Sequence, residues 1–242
     1  MTHYTKRANP GGFPEAIVFD SALYFSLQDN TSAMRTLTKE LQDKITPNIA
    51  LNILKEGNQR FINNLKASRN LLQQVNDTKE GQHPFAVILS CIDSRTSAEL
   101  IFDQGLGDIF SIRIAGNVLN EDILGSMEFA CKVAGAKIIV VLGHTRCGAI
   151  KGACDHVELG HLTGLLSKIR PILERTPKIE GGDSYAYADA VAANNVHQVM
   201  DDIAKRSIIL DKMIKSHEIA VVGGMYNIET GVVDFYEHPH LL

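Results

Sequence analysis

An α/β fold with a mainly parallel central β-sheet covered by helices is predicted by three features of the chain. Two short, continuously apolar runs, residues 85–90 and 137–142, have the composition of strands buried on both faces. Helical patterns alternate with such runs along most of the sequence, as crossover connections between parallel strands require. Near the end, Thr230-Gly231 reads as a turn into a last antiparallel edge strand.

In chain order, residues 1–30 contain Asn9, Pro10, Gly11, Gly12 and Pro14, punctuation that predicts a flexible or extended N-terminal segment. Residues 31–242 are then expected to form one α/β domain, opened by a helical arm over 31–65 that breaks near Pro47. Strand 85–90 follows Pro84. A short helix near 97–102, a strand over 109–112 and a helix over 121–134, terminated by Gly135, come next. Strand 137–142 ends at Gly143. Helices are predicted over 148–156 and 162–174, with Pro171 marking a kink or break in the second. Residues 184–216 read as one or two long helices, 218–224 as a strand and 232–236 as the edge strand.

Composition narrows the function classes. The net charge of −4 and the absence of a basic run interleaved with aromatics give nucleic acid no electrostatic reason to bind. No apolar run approaches the roughly 20 residues of a membrane span. The N-terminus has a Lys6-Arg7 pair but no continuous apolar stretch after it, so a secretory signal is not expected. Four cysteines are too few for a disulfide scaffold in 242 residues, which points to the cytoplasm and to thiols used as ligands or catalysts.

Two motifs follow strands, where ligands bind in open α/β sheets. Cys91-Ile92-Asp93-Ser94-Arg95 follows the first strand and His144-Thr145-Arg146-Cys147-Gly148 the third. Two thiolates and one imidazole make an open Cys2His set, suited to a catalytic zinc that keeps its fourth position for water or substrate. Cys131 and Cys154 lie inside helical patterns and read as core residues. Asp93 and Arg95 are spaced for a bidentate pair. Such a carboxylate either takes the fourth metal position or accepts a hydrogen bond from metal-bound hydroxide, with Arg95 holding it away. His156 and His161 lack partners at ligand spacing, and His238 and His240 form a tail suited only to adventitious metal binding. Gly105-Leu106-Gly107 reads as a turn rather than a phosphate loop. The seam Leu162, Leu165, Leu166, Ile169 is expected to pack on the chain's own sheet.

Together the two motifs resemble the paired signature of the β-carbonic anhydrases, Cys-x-Asp-Ser-Arg and His-x-x-Cys. Gly57-Asn58-Gln59-Arg60-Phe61, Arg113-Ile114-Ala115-Gly116-Asn117, Met225-Tyr226 and Thr230-Gly231 extend the resemblance over about residues 49–236. It implies that Cys91, His144 and Cys147 hold one Zn2+ per subunit and that Asp93 and Arg95 form the catalytic dyad. Gln82 and Phe110 stand where the family contacts substrate. A tyrosine that lines the cleft from the neighbouring subunit in many members corresponds to Phe129. Ile88 occupies the position of the tryptophan that a bicarbonate-regulated subset requires, so the resemblance favours the constitutively open subtype. The helix pair before the first core strand has little of its own domain to cover, and in the family such arms clasp the adjacent subunit. A homodimer or homotetramer is expected.

The implied reaction is reversible hydration of CO2 to bicarbonate and a proton. Zinc lowers the pKa of bound water from 15.7 towards about 7 and so supplies a nucleophile at neutral pH. Two readings compete. A zinc hydrolase of CS2 or COS would use the same ligands, and a structural or redox-sensing thiol site would not need Asp93 and Arg95 beside an open position.

Overall fold

The computed structural model describes residues 36–179, 183 and 185–236. The N-terminal segment 1–30 and the His238 and His240 tail lie outside these residues. Five strands form one sheet in the order β2-β1-β3-β4-β5. The first four are parallel: β1 (Ala86–Ser90), β2 (Ile109–Arg113), β3 (Ile138–His144) and β4 (Ala220–Tyr226). β5 (Val233–Phe235) returns antiparallel along β4. This is the fold class expected from the sequence.

Helices cover both faces, which is why β1 and β3 are buried at every position rather than at alternate ones. On one face, α1 (Lys39–Lys44), α2 (Pro47–Ile62) and α4 (Ala98–Ile101) bury Ile45, Leu54 and Ile101 against Ile88, Val140 and Val222. On the other, α5 (Glu121–Glu128), α9 (Ala186–Arg206) and α10 (Ile208–Lys215) bury Met127, Val196 and Leu210 against Leu89, Val141 and Val221. The short α6 (Gly148–Cys154), α7 (Gly160–Leu166) and α8 (Arg170–Arg175) close over the carboxyl ends of the strands, with Leu166 and Ile169 packed beside Cys91 and Cys147. The α7 seam thus belongs to the chain's own core.

Local chemistry sets the boundaries. Thr46 accepts from the Ile49 N–H at 3.3 Å and Pro47 occupies the first turn of α2, so the arm breaks where proline predicted. Ser207 divides the long C-terminal helix and caps α10 by accepting from Leu210 N–H at 3.1 Å. Pro171 does not kink a helix: the break precedes it, and it sits in the first turn of α8, where no N–H is needed. α5 ends in a wider π turn over Phe129–Val133, which leaves Phe129 54% and Val133 72% exposed. α3 (Leu71–Asp77) is an addition to the sequence reading; its Leu71, Leu72 and Val75 face outwards, so it carries no core-facing pattern.

One expectation is corrected. The α1–α2 arm has much of its own domain to cover, since it buries Ile45, Ala50, Leu51, Ile53 and Leu54 in the core on one face of the sheet. Its motif is a fastening. Gly57 lies against the Phe102 carbonyl so closely that a Cβ would stand 1.7 Å from the oxygen. Asn58, 2% exposed, donates to the carbonyls of Ile101 (3.2 Å) and Gly231 (2.9 Å) and accepts from Val233 N–H (2.9 Å). Arg60 and Arg69 both pair with buried Asp103. The arm is thereby locked to α4 and to the β4–β5 turn.

Candidate metal centre

β1 and β3 are neighbours, and Ser90 stands opposite Leu142. The residue after β1, Cys91, therefore comes level with the last two residues of β3, Gly143 and His144. Cys147 lies one tight turn further on, immediately before α6. The ligand-capable atoms of Cys91, His144 and Cys147 all lie within 4.8 Å of one another, and all three residues are buried. Cys131 and Cys154 are not part of the group. The two sulfurs are 3.9 Å apart. A tetrahedral ion with bonds of about 2.3 Å to sulfur requires about 3.8 Å.

The imidazole is oriented to match. Its Nδ1 is 2.9 Å from the Thr145 carbonyl, which can only accept, so Nδ1 carries the proton and Nε2 presents its lone pair. His144 is 1% exposed and its Nε2 has no hydrogen-bond partner. An orphaned buried nitrogen beside two thiols is a donor set waiting for a cation. The thiols themselves divide one proton unequally. The hydrogen bond from Cys147, and a further one from the Gly116 N–H at 3.3 Å, hold the Cys91 thiol well below its ordinary range. Contact with that thiolate, and burial, push Cys147 up.

Asp93 and Arg95 form the expected pair. Arg95 donates from its backbone N–H and Nε to Oδ1, both at 2.9 Å, and from Nη2 to Oδ2 at 2.8 Å. Both carboxylate oxygens are thus turned to the guanidinium, which holds Asp93 down to about 2. The Asp93 carboxylate is not among the clustered ligand atoms.

Gln82 and Phe110 are placed elsewhere. Gln82 is exposed and precedes β1, so five strand residues, roughly 17 Å at about 3.3 Å each, separate it from the Cys91 end. Phe110 pairs with Val87 near the start of β1. It meets Phe129 edge-on at 6.1 Å in an open cleft of about 680 Å³ shared with Ile112, Glu121 and Asp122.

Three supporting groups escaped the sequence reading. Arg113 donates to the carbonyls of Cys91 (3.0 Å) and Asp93 (2.5 Å), fixing the first loop from below. Gly116, at φ +67°, aims its N–H at Cys91 Sγ, and Asn195 holds its carbonyl at 3.0 Å. These two explain the Arg113–Asn117 motif. Asp189, in α9, accepts from the Arg146 backbone N–H at 2.7 Å. Nothing local marks it, because it arrives 43 residues after the turn it touches.

Comparison with known proteins agrees with this geometry. The family profile described as carbonic anhydrase matches residues 86–233. Carbonic anhydrase 2 of Mycobacterium tuberculosis is 37% identical over 198 residues, 79% of this chain and 94% of that protein. The Mycolicibacterium smegmatis carbonic anhydrase is 36% identical over 197 residues, 79% of this chain and 94% of its own. Among solved structures, the β-carbonic anhydrase CafA of Aspergillus fumigatus superposes with a TM-score of 0.63 at 25% identity, covering 70% of this chain and 84% of that one. A structure described as one of two tetrameric β-carbonic anhydrases of Sordaria macrospora shares the fold, with a TM-score of 0.61 at 19% identity over 90% and 98% of the two chains.

Proposed function

The chain belongs to the β-class carbonic anhydrases, enzymes of CO2 hydration, and from that premise we propose that it works on one zinc ion held by Cys91, His144 and Cys147. The observation that carries the metal is the Cys2His cluster, with its 3.9 Å sulfur pair and the buried, unpartnered His144 Nε2 beside it. When bound there, zinc supplies acidification of a water and the nucleophile that adds to CO2. The chain's own residues do the rest. Asp93 accepts the hydrogen bond that orients that nucleophile, and Arg95 keeps the carboxylate turned away from the ligands. Gly116 N–H and Arg113 hold Cys91 and its loop in place.

The pairing of both Asp93 oxygens with Arg95, and Ile88 in place of a tryptophan, support a constitutively open enzyme. Gln82 and Phe110 lie too far from the cluster of their own chain to touch its substrate. They serve the site of a second copy, so the working unit is a homodimer or a larger even assembly; a related fold is described as tetrameric. Four unpaired thiols support residence in the cytoplasm. The chain's domain plan, one α/β unit over 31–242 preceded by a separate segment 1–30, is part of the same reading.

Stopped-flow CO2 hydration with zinc-loaded protein, read beside metal content, tests it. Cys147→Ser is expected to lose its zinc and at least about 100-fold in rate. Full activity in that variant would overturn the ligand set.

A further inference from the structure

Asp189 has no place in the reaction described so far, yet its contact falls on one particular bond. The Arg146 N–H that it accepts at 2.7 Å and the Thr145 carbonyl that accepts His144 Nδ1–H at 2.9 Å belong to the same peptide unit. A carboxylate, a peptide and an imidazole are therefore joined in series, and the far nitrogen of that imidazole is the one left for the metal.

From this chain of contacts we infer that Asp189 is a positioning residue for the metal ligand His144, acting through the Thr145–Arg146 peptide. Metal-bound histidines ordinarily give their second N–H to a carboxylate or a carbonyl, which fixes the tautomer and strengthens the donor nitrogen. Here the carbonyl is itself polarised by a carboxylate at the other end of its peptide, and hydrogen bonds in series reinforce one another. The inference rests on the zinc reading above and adds a residue to it.

The surroundings show how tightly the peptide is placed. Arg146 adopts φ +55°, a left-handed conformation costly for a residue with a side chain and kept only where neighbours enforce it. Its guanidinium pairs with Asp183 at 2.7 Å and Glu229 at 3.1 Å and lies over the Tyr185 ring at 5.3 Å. Thr145 is fixed on the other side: its N–H donates to the Tyr226 carbonyl at 3.0 Å, and its hydroxyl accepts from Ile228 N–H at 3.1 Å. With the turn gripped by β4 and the β4–β5 turn, Asp189 is free to act on the peptide's polarity as well as its position.

The test separates charge from shape. Asp189→Asn keeps an oxygen for the Arg146 N–H but removes the charge; Asp189→Ala removes both; Arg146→Gln removes the guanidinium and keeps the backbone N–H. Zinc retention against a chelator is measured for each, with the visible spectrum of the cobalt-substituted protein as a reading of the ligand field. Asp189→Asn is expected to weaken zinc retention about tenfold, and Asp189→Ala by up to about 100-fold, each with a shifted cobalt spectrum. Arg146→Gln, which loosens the turn but keeps the N–H that Asp189 accepts, should cost less than Asp189→Asn because its ion pairs are surface ones, and a larger cost would overturn the assignment. Loss of retention with an unmoved cobalt spectrum, or Asp189→Asn equal to wild type in both, would overturn the assignment. Should Asp189→Ala fail to fold, the Asn variant decides. A wild-type chain that binds no zinc or cobalt at one per subunit would overturn the metal reading, and this one with it; a wild type that binds them while the Asn variant matches it overturns this one alone.

Discussion

Asp93 shows how one side chain is committed to a role by its partners. Three donors from Arg95 hold its carboxyl at about 2, below its ordinary 3.8. A folded value below the unfolded one means that the pair stabilises the fold fully above about pH 4, and that this contribution disappears as pH falls through about 2. Discounted for the exposed guanidinium, 52% accessible, it is worth about 1 kcal/mol. Asp93→Asn should therefore melt below wild type at pH 7, and thermal scans between pH 5 and pH 2 should show the gap closing. The same substitution is expected to cost about 100-fold in CO2 hydration at neutral pH, since it removes the acceptor that orients the nucleophile. Activity near wild type would remove Asp93 from the mechanism.

The elements show a division of labour between fastening and chemistry. Gly57→Ala is predicted to destabilise the protein by about 3 kcal/mol, because a Cβ 1.7 Å from the Phe102 oxygen forces α2 off α4; urea unfolding measures it. The Cys91, His144 and Cys147 cluster would keep its residues, so any surviving folded protein should take up metal as wild type does. What sequence reasoning saw at this scale follows from physics. β1 and β3 were legible because both faces are covered, which writes an unbroken apolar run into the chain. The ligands were legible because Cys91 and the His144–Cys147 pair follow neighbouring strands. α3 was not, since its apolar residues face outwards. The π turn at Phe129 was read as ordinary helix, because one extra residue in a turn leaves no trace in composition. How much of its own domain the arm covers was not legible for a different reason: which face of a sheet a helix will cover is a tertiary fact, and α2 carries the same periodicity either way.

At the scale of the whole molecule, the candidate site residues fall at opposite ends of the sheet. The metal cluster crowns the carboxyl ends of β1 and β3, while Gln82 precedes the opposite end of β1. A complementation experiment follows. Gln82→Ala and Cys147→Ser, each impaired alone, should regain about a quarter of wild-type activity when dissociated and reassembled in equal amounts, because half the dimers are then mixed and carry one intact site. No recovery from a mixture shown to exchange subunits would place Gln82 outside the site. Asp189, by contrast, acts within its own chain, and sequence could not reveal it: a helix brings it to the ligand turn from 43 residues away.

The Asn58 clamp also dictates when, during synthesis, the enzyme can be completed. Its partners include Gly231 and Val233, 173 and 175 residues further on, so the clamp on α2 closes only when the β4–β5 turn has left the ribosome, although its α4 partners are made much earlier. Ile101, the clamp's other partner, emerges about 130 residues before Gly231, and at about 5–20 residues per second the interval is roughly 6–26 s. For that time α2 is held by its α4 contacts alone. A nascent chain stalled before the β4–β5 turn should therefore exchange the amide hydrogens of α2 faster than the finished chain does.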